Sequence, residues 1–255
     1  MIKKTVDQIK KKLLLVEDLN DPFLATVQND PRKGVQAALR HTYKKIQQDQ
    51  RKLADFRKRF KYENQLHQKG FHVIAGVDEV GRGPLAGPVI ACAIILPDNF
   101  DLIDVNDSKQ LSKKQRELLY PKILQEAVCY GIGTEDSQTT DKVNIYQATR
   151  LAMKQAVLAL KPKPDQIIVD AMQIPVNISQ TRLIKGDAKS ISVAAASIVA
   201  KVYRDNLMVK YSKEYPGYGF EKNAGYGTKL HLKGLQHYGV TPIHRKTFSP
   251  VEKYL

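Results

Sequence analysis

Four carboxylates stand at points of the chain where ligands commonly bind. Asp78 and Glu79 come directly after the apolar run 73–77, and Asp170 closes a second apolar run. Asp187 precedes a long apolar stretch that is predicted to be a helix. Because α/β sheets bind ligands at the carboxyl ends of their strands, these side chains are candidates for one common site.

Adjacent residues such as Asp78 and Glu79 point to opposite faces of a regular strand. They can converge on one site only if the strand ends at that point. Gly81, Gly83 and Pro84 supply the irregular backbone for such an end, because glycine tolerates positive φ and proline interrupts a strand ladder. We therefore expect the strand to end at Asp78 and Glu79.

Clustered carboxylates without nearby histidine or cysteine ligands select Mg²⁺ or Mn²⁺ rather than zinc. Two such ions, about 3.5–4 Å apart, can generate hydroxide from water and stabilise the departing oxygen of a phosphodiester. Simpler interpretations remain open. Asp187 can serve only as a helix N-cap, and Asp170 only as a turn residue. Asp78 and Glu79 can form an exposed strand end.

Basic side chains outnumber acidic ones. The 255 residues include 41 Lys and Arg against 26 Asp and Glu, which gives a formal net charge of +15. Residues 1–70 hold 17 of the basic and 8 of the acidic side chains, so the excess is concentrated at the amino end. Such a surface attracts polyanions, including nucleic acids, although charge alone does not identify the ligand.

The composition, 42% hydrophobic and 26% charged, is that of a soluble globular chain. No apolar stretch is long enough for a signal peptide or a membrane span. Cys92 and Cys129 are far apart and form no Cys-x-x-Cys pair, which argues against zinc ribbons and disulfide scaffolds. We expect a cytoplasmic monomer that does not contact membranes.

The amino-terminal part is predicted to be entirely helical. Helical patterns cover residues 3–18, 21–28 and 31–67. In the last of these, an apolar stripe recurs every seven residues, at Leu39, Ile46, Leu53 and Phe60. Much of the remaining surface is basic, with Lys44, Lys45, Arg51, Lys52, Arg57, Lys58 and Arg59. This face is either simply solvated or in contact with phosphates.

Strands and helices interleave after residue 70. Strands are predicted over 71–77, 88–96, 128–133, 166–170 and 181–184, and helices over 112–127, 141–160 and 189–211. An early hairpin followed by this alternation indicates an α/β fold whose sheet has mixed strand directions. The alanine-rich helix 189–211 has little polar face, so we expect it to be central and buried.

Two long segments of the sequence resemble bacterial ribonuclease HII, a type 2 ribonuclease H. They are residues 76–89 (GVDEVGRGPLAGPV) and 187–205 (DAKSISVAAASIVAKVYRD). The short motifs 225–229 (GYGTK) and 242–245 (PIHR) extend the resemblance over roughly residues 70–250. The sister group, ribonuclease HIII, lacks the Gly-Arg-Gly word, so its presence at 81–83 favours ribonuclease HII.

The resemblance implies a ribonuclease H-like mixed sheet flanked by helices, with a helical carboxyl-terminal segment. It also implies cleavage of the RNA strand of RNA·DNA hybrids and at single ribonucleotides in duplex DNA, leaving a 3′-hydroxyl and a 5′-phosphate. By matching motif, four carboxylates would bind Mn²⁺ or Mg²⁺: Asp78, Glu79, Asp170 and Asp187. Family members read the ribose 2′-OH with the turn corresponding to Gly81, Arg82 and Gly83. Tyr226 would pack against the sugar on the deoxyribose side.

Residues 1–70 lie outside this resemblance. We expect them to form a basic helical extension and residues 71–255 to form the catalytic domain. Two other functions stay open at this point. A non-catalytic nucleic-acid-binding protein would explain the net charge and the basic helix, and another two-metal nuclease of the same superfamily, such as a junction resolvase, would ignore the 2′-OH.

Several polar residues have weaker functional interpretations. Lys189 and Ser190 either contact phosphate or reflect the polarity of a helix start. His231 and His244 lack the spacing of metal ligands, so a structural or phosphate-facing role is favoured. Cys92 lies in an apolar strand pattern and is expected in the core.

Overall fold

A computed structural model describes residues 4–255; Lys3, the first residue of the helix predicted over 3–18, lies outside them. The described chain consists of two compact units, one extending to Arg57 and the other spanning Lys58–Leu255. Within this range no helix is long and apolar enough to cross a membrane.

The first unit is helical, as predicted. It contains α1 (Val6–Leu13), α2 (Pro22–Val27) and most of α3 (Lys33–Arg59). Thr5 starts α1 with a capping box, and Asp21 accepts a hydrogen bond from the N–H of Phe23 at the start of α2. Of the predicted apolar stripe, Leu39 and Ile46 join the core of this unit, whereas Leu53 is half-buried outside it and Phe60 belongs to the second unit. The core comprises Ile9, Leu13, Val16, Phe23, Leu24, Val27, Val35, Leu39 and Ile46.

The helix predicted over 31–67 is interrupted at Phe60. The ψ angle of Phe60 is 0°, far from the helical value near −42°, and α4 (Lys61–Gln68) begins after it. Most of the predicted basic face is exposed: Lys44, Lys45, Arg51, Lys52, Arg57 and Lys58. Arg59 is half-buried instead, because its guanidinium donates to the Val105 carbonyl and the Asn106 side chain.

The second unit is built around a five-stranded mixed sheet. Its strands are β1 (Ile74–Val80), β2 (Val89–Ile95), β3 (Cys129–Glu135), β4 (Gln166–Asp170) and β5 (Ser179–Leu183). Their spatial order is β3-β2-β1-β4-β5. The β1–β2 and β2–β3 pairs are antiparallel, whereas β4 is parallel to both β1 and β5. This confirms the predicted hairpin and the mixed strand directions.

Helices cover both faces of the sheet. The connecting helices are α5 (Lys113–Glu126), α6 (Ser137–Val143), α7 (Ile145–Leu158), α8 (Gly186–Lys189) and α9 (Ile191–Glu214). Ala75 and Val77 of β1 pack in one core with α7, and Ile74 packs with Val193 of α9 in another. A β-carbon on Gly76 would lie 2.2 Å from the Ser192 carbonyl carbon, so only glycine lets β1 approach α9 this closely.

One residue divides the helix predicted over 141–160, and another delays the start of the helix predicted over 189–211. Asn144, with φ of 67°, separates α6 from α7, and its side chain accepts a hydrogen bond from the N–H of Gln147. Ser190 is extended, separates α8 from α9, and is the N-cap of α9. As expected, α9 is central, with all of its first ten residues buried.

The carboxyl-terminal segment is helical, as predicted. It contains α10 (Phe220–Asn223), α11 (Lys229–Tyr238) and α12 (Ser249–Glu252). Together with Leu85 and Ala86 of the β1–β2 connection, this segment forms a separate apolar core that includes Met208, Tyr218, Phe220, Leu235 and Val251. The glycine-rich connection after β1 is therefore packed on the carboxyl-terminal helices.

Candidate active site

The four predicted carboxylates lie around the carboxyl ends of β1 and β4. The β1–β4 register pairs Val77 with Val169, which brings the next residues, Asp78 and Asp170, to the same level. The backbone N–H of Gly186 donates to Oδ1 of Asp170 at 2.9 Å, so the segment carrying Asp187 is attached to the end of β4. Asp78 and Asp187 are only 6% and 4% exposed.

The predicted strand end at Asp78 and Glu79 comes too early. β1 continues to Val80, and Asp78 and Glu79 pair with Cys92 and Ala91 of β2. Side-chain alternation therefore directs Asp78 to the α9 face, where Gly76 also lies, and Glu79 to the α7 face. The strand ends later than expected because antiparallel pairing with β2 extends it beyond the last residue paired with β4.

Burial and mutual repulsion raise the pKa values of the two β1 carboxyls. The pKa of Asp78 is raised well above its usual range, mainly because the side chain is buried and secondarily because Glu79, Asp170 and Asp187 repel its charge. Burial also raises the pKa of Glu79, with Arg82 opposing this shift. Oε2 of Glu79 is buried and has no hydrogen-bond partner. A cation would relieve each of these costs.

Basic and backbone groups partly neutralise the cluster. Nζ of Lys109 lies 3.0 Å from Oδ2 of Asp187, and Nη1 of Arg82 lies 3.4 Å from Oε1 of Glu79. Among residues 4–255, no three His, Cys, Asp or Glu side chains are already arranged to hold a metal ion. The donor set, oxygen ligands only, nevertheless fits Mg²⁺ or Mn²⁺, and the unpartnered oxygen of Glu79 is available.

Lys109 is a site residue that the sequence patterns do not single out. It lies in the loop before α5, and the Arg116 side chain holds this loop by donating to the carbonyls of Ser108 and Leu111. Burial lowers the pKa of Lys109, but the hydrogen bond and charge of Asp187 outweigh that effect and raise it. No local pattern marks Lys109, because its partner is 78 residues away in the chain.

Two buried arginines hold the backbone of the loop between β1 and β2, and Arg245 alone bonds to the Gly81–Gly83 turn. Arg245 donates five hydrogen bonds to four carbonyls, those of Gly81, Arg82, Pro84 and Gly87. Arg204 donates to the carbonyls of Ala86, Pro88 and Ala224. Burial lowers the pKa of Arg245 to about 9 and that of Arg204 to about 10.

Gly81 has φ of +92°, and a β-carbon there would lie 2.2 Å from Nε of Arg204, so only glycine fits. The side chains of Arg82 and Lys189 are exposed, and Gly83 is exposed at the tip of the turn. The carbonyls of Gly81 and Arg82 face the buried Arg245, while the outer side of the turn is left to solvent.

Tyr226 lies beside the same turn. A β-carbon on Gly83 would be 3.5 Å from Cε1 of Tyr226, whose side chain is 47% exposed. The preceding residue, Gly225, accepts hydrogen bonds from the N–H groups of Leu85 and Ala86. The structure therefore brings Tyr226 and the Gly81–Gly83 turn together from positions more than 140 residues apart.

His231 and His244 form a buried pair, so their structural role is confirmed. Their Nε2 atoms are 2.9 Å apart. The Thr241 N–H donates to Nδ1 of His244, so a neutral His244 carries its proton on Nε2 and donates it to His231. The Nδ1–H of His231 then donates to the Tyr226 carbonyl. Burial lowers both pKa values, with that of His244 at about 4. Cys92 is fully buried in β2, as expected.

Two family models together match most of the chain. The model "Ribonuclease HII" matches residues 75–251, and "Ribonuclease HII N-terminal domain" matches residues 5–67. A "Ribonuclease HII" of Ligilactobacillus salivarius (strain UCC118) is 58% identical over 255 residues, covering 100% of this chain and 99% of that protein.

Solved structures share the fold. The ribonuclease H2 from Pyrococcus horikoshii OT3 superimposes with a TM-score of 0.63 and 28% identity, over 72% of this chain and 97% of that chain. Bst-RNase HIII in complex with Mn²⁺ has a TM-score of 0.60 and 20% identity, over 74% and 70% of the two chains, and supports the fold alone.

The similarity to ribonuclease HII proteins distinguishes a ribonuclease H enzyme from the non-catalytic nucleic-acid-binding protein that the sequence left open. The ribonuclease HII model covers more than half of the chain, and the Ligilactobacillus salivarius relative matches it from end to end. A non-catalytic binding protein is therefore not supported, and nucleic acid is the class of substrate. The chain belongs to the ribonuclease HII family, whose members depend on divalent metals, and is a ribonuclease H enzyme.

Proposed function

We propose that this enzyme hydrolyses the RNA strand of RNA·DNA hybrids and cuts on the 5′ side of single ribonucleotides in duplex DNA. The products would carry a 3′-hydroxyl and a 5′-phosphate. One observation carries the proposal: the turn that follows β1 lies beside the carboxylates, because Nη1 of Arg82 is 3.4 Å from Oε1 of Glu79, and Tyr226 lies against the same turn. Ribose recognition and phosphodiester chemistry would thus share one surface.

The carboxylates would hold two Mn²⁺ or Mg²⁺ ions through Asp78, Glu79, Asp170 and Asp187. The bound ions would activate water and stabilise the departing oxygen of the phosphodiester. The protein's own contribution is to hold buried carboxylates in place with the β1–β4 register and the Gly186–Asp170 hydrogen bond. Lys109 compensates the charge of Asp187 before the ions bind.

The recognition surface would consist of Gly81, Arg82, Gly83, Tyr226 and Lys189. Buried Arg245 donates hydrogen bonds to four carbonyls of the 81–87 loop. These bonds fix the backbone that would contact the 2′-OH. The half-exposed ring of Tyr226 is a flat apolar surface suited to packing against a sugar. Exposed Lys189, two residues after Asp187, would contact a backbone phosphate.

Residues 1–70 would strengthen binding to the duplex through the exposed basic side chains of α3. Residues 71–255 would form the catalytic domain. We further infer that the enzyme acts as a monomer and is cytoplasmic. The two free cysteines, Cys92 and Cys129, agree with a reducing compartment.

Cleavage of a labelled DNA duplex with one embedded ribonucleotide tests the proposal, with an all-DNA duplex as control and with Mn²⁺, Mg²⁺ or EDTA. A metal-dependent cut only in the ribonucleotide strand, on its 5′ side, is expected. Equal cutting of the all-DNA duplex would favour a resolvase-like nuclease, and cutting of long hybrids alone would remove single ribonucleotides from the substrate range.

A further inference from the structure

Glu63 is a buried carboxylate for which the proposed reaction has no direct use. It lies on α4, within the unit Lys58–Leu255, and is 7% exposed. The "Ribonuclease HII" match begins only at residue 75, and Glu63 falls inside the N-terminal domain match. A charged side chain is rarely buried without a specific partner, so its surroundings require an explanation.

One oxygen of Glu63 receives three hydrogen bonds from the start of α9. Oε1 accepts from the hydroxyl of Ser190 at 2.5 Å, the hydroxyl of Ser192 at 2.7 Å and the backbone N–H of Ser192 at 3.1 Å. The negative charge also lies at the positive end of the helix dipole of α9. Glu63 is thus attached to the residue at which α8 and α9 separate.

The same junction carries the candidate metal ligands. Asp187 is on α8, three residues before Ser190, and the Ser190 N–H donates to the Gly186 carbonyl at 2.8 Å. The Gly186 N–H in turn donates to Oδ1 of Asp170 at 2.9 Å. A continuous path of hydrogen bonds therefore runs from Glu63 through Ser190 and Gly186 to Asp170, and it passes the backbone of Asp187.

We propose that Glu63 is a positioning residue for the metal site, which holds the α8–α9 junction so that Asp187 and Asp170 face Asp78. This inference rests on the proposed function, because it takes those carboxylates as the ligands. Under this proposal, α4 has a role in metal binding that is separate from any contact with the duplex.

The test compares Glu63→Ala and Glu63→Gln with the wild-type chain and with Glu117→Gln, an exposed glutamate of α5 paired with Lys113, as a matched control. Mn²⁺ binding is measured by isothermal titration calorimetry without substrate, and folding is checked by circular dichroism. Cleavage of the single-ribonucleotide duplex then provides kcat and KM.

We expect Glu63→Ala to weaken Mn²⁺ binding by about tenfold or more, the usual effect of losing a group that orients a ligand. Its kcat should fall, with KM for the duplex within about twofold of wild type. Glu63→Gln should recover Mn²⁺ binding to within about threefold, because its amide oxygen still accepts the Ser190 and Ser192 hydrogen bonds. Glu117→Gln should bind like wild type.

Wild-type Mn²⁺ binding by folded Glu63→Ala would overturn the proposal, as would Glu63→Gln binding as weakly as Glu63→Ala or an effect confined to KM. If Glu63→Ala does not fold, Ser192→Ala replaces it, because that change removes only one donor. Ser192→Ala should weaken Mn²⁺ binding about threefold, and unchanged binding would overturn the proposal. Calorimetry needs no cleavage, so a wild-type enzyme that binds Mn²⁺ without cutting would contradict the proposed function alone.

Discussion

Nζ of Lys109 lies 3.0 Å from Oδ2 of Asp187, so an exposed lysine neutralises a carboxylate whose side chain is only 5% exposed. A divalent cation at Asp187 would compete with this ammonium group for the same oxygen. Lys109 therefore links the stability of the metal-free protein to its affinity for metal.

Lys109→Met should lower the free energy of unfolding of the metal-free protein by about 1 kcal/mol, because Asp187 loses its counter-ion while the exposed lysine itself contributes little. The increase in melting temperature on adding Mn²⁺ should be larger than in wild type. Urea and thermal unfolding in EDTA and in Mn²⁺ measure both quantities. Lys113→Met, which breaks the surface pair with Glu117, is the control and should change neither.

Asp78→Asn should abolish cleavage while duplex binding persists, because it removes a ligand and leaves the basic surface intact. Without metal the same variant should be more stable than wild type at pH 7. The folded-state pKa of Asp78 is raised above its ordinary value of 3.8, so the folded protein binds this proton more tightly than the unfolded chain does. Stability is therefore lost as pH rises from 3.8 towards the folded-state pKa.

Urea unfolding in EDTA at pH 7.5 and near pH 4 checks this sign, since the advantage of Asp78→Asn should shrink at the lower pH. Asp101→Asn, an exposed carboxylate, is the control. Substantial cleavage by Asp78→Asn would contradict its role as a metal ligand.

Arg245→Lys should destabilise the fold by about 3 kcal/mol, because a lysine cannot satisfy all four carbonyls that Arg245 reaches and each buried acceptor left unpaired is costly. The kcat/KM for the single-ribonucleotide duplex should also fall, since the Gly81–Gly83 turn loses its support. Arg182→Lys on the exposed side of β5 should leave both unchanged. Wild-type stability of Arg245→Lys would show that water replaces the lost donors.

The His231–His244 pair should make the protein less stable below pH 6.5. Both pKa values are lowered in the folded state, so the unfolded chain binds more protons and stability is lost as pH falls from 6.5 towards 4. With the pKa of His244 at about 4, this residue should lower the free energy of unfolding by roughly 2 kcal/mol between pH 7.5 and pH 5. Urea unfolding at the two pH values should show a smaller loss for His244→Gln, and an unaltered loss for the exposed His237→Gln.

Neutralising Lys44 and Lys45 together, by Lys44→Gln and Lys45→Gln, should raise KM more than it changes kcat. It should also flatten the dependence of log affinity on log salt concentration by about one for each phosphate that the protein no longer neutralises. Lys161→Gln with Lys163→Gln, two exposed lysines elsewhere, provides the matched control. An unchanged salt slope would leave α3 with a structural or partner-docking role.

Local patterns predicted most elements well. The strand 166–170 appears with the predicted bounds, and Ser112 begins α5 through the predicted capping box. The predicted boundaries of elements are wrong where tertiary contacts determine the observed ones. Pairing with β2 carries β1 past Glu79, and an extended Ser190, bonded to Glu63, places the start of α9 at Ile191 rather than at the predicted Lys189.

The amino-acid sequence alone predicts the element types, the mixed α/β class, the helical amino end and the family motifs that contain the candidate carboxylates. These depend on periodicity and capping within a few neighbouring residues. The residues that support the site come together only in the folded chain. Lys109 meets Asp187 across 78 residues, Glu63 meets Ser192 across 129, and Arg245 meets Gly81 across 164. Such contacts arise from the packing of β1 against α9 and of the carboxyl-terminal helices against the glycine-rich loop, which no local pattern encodes.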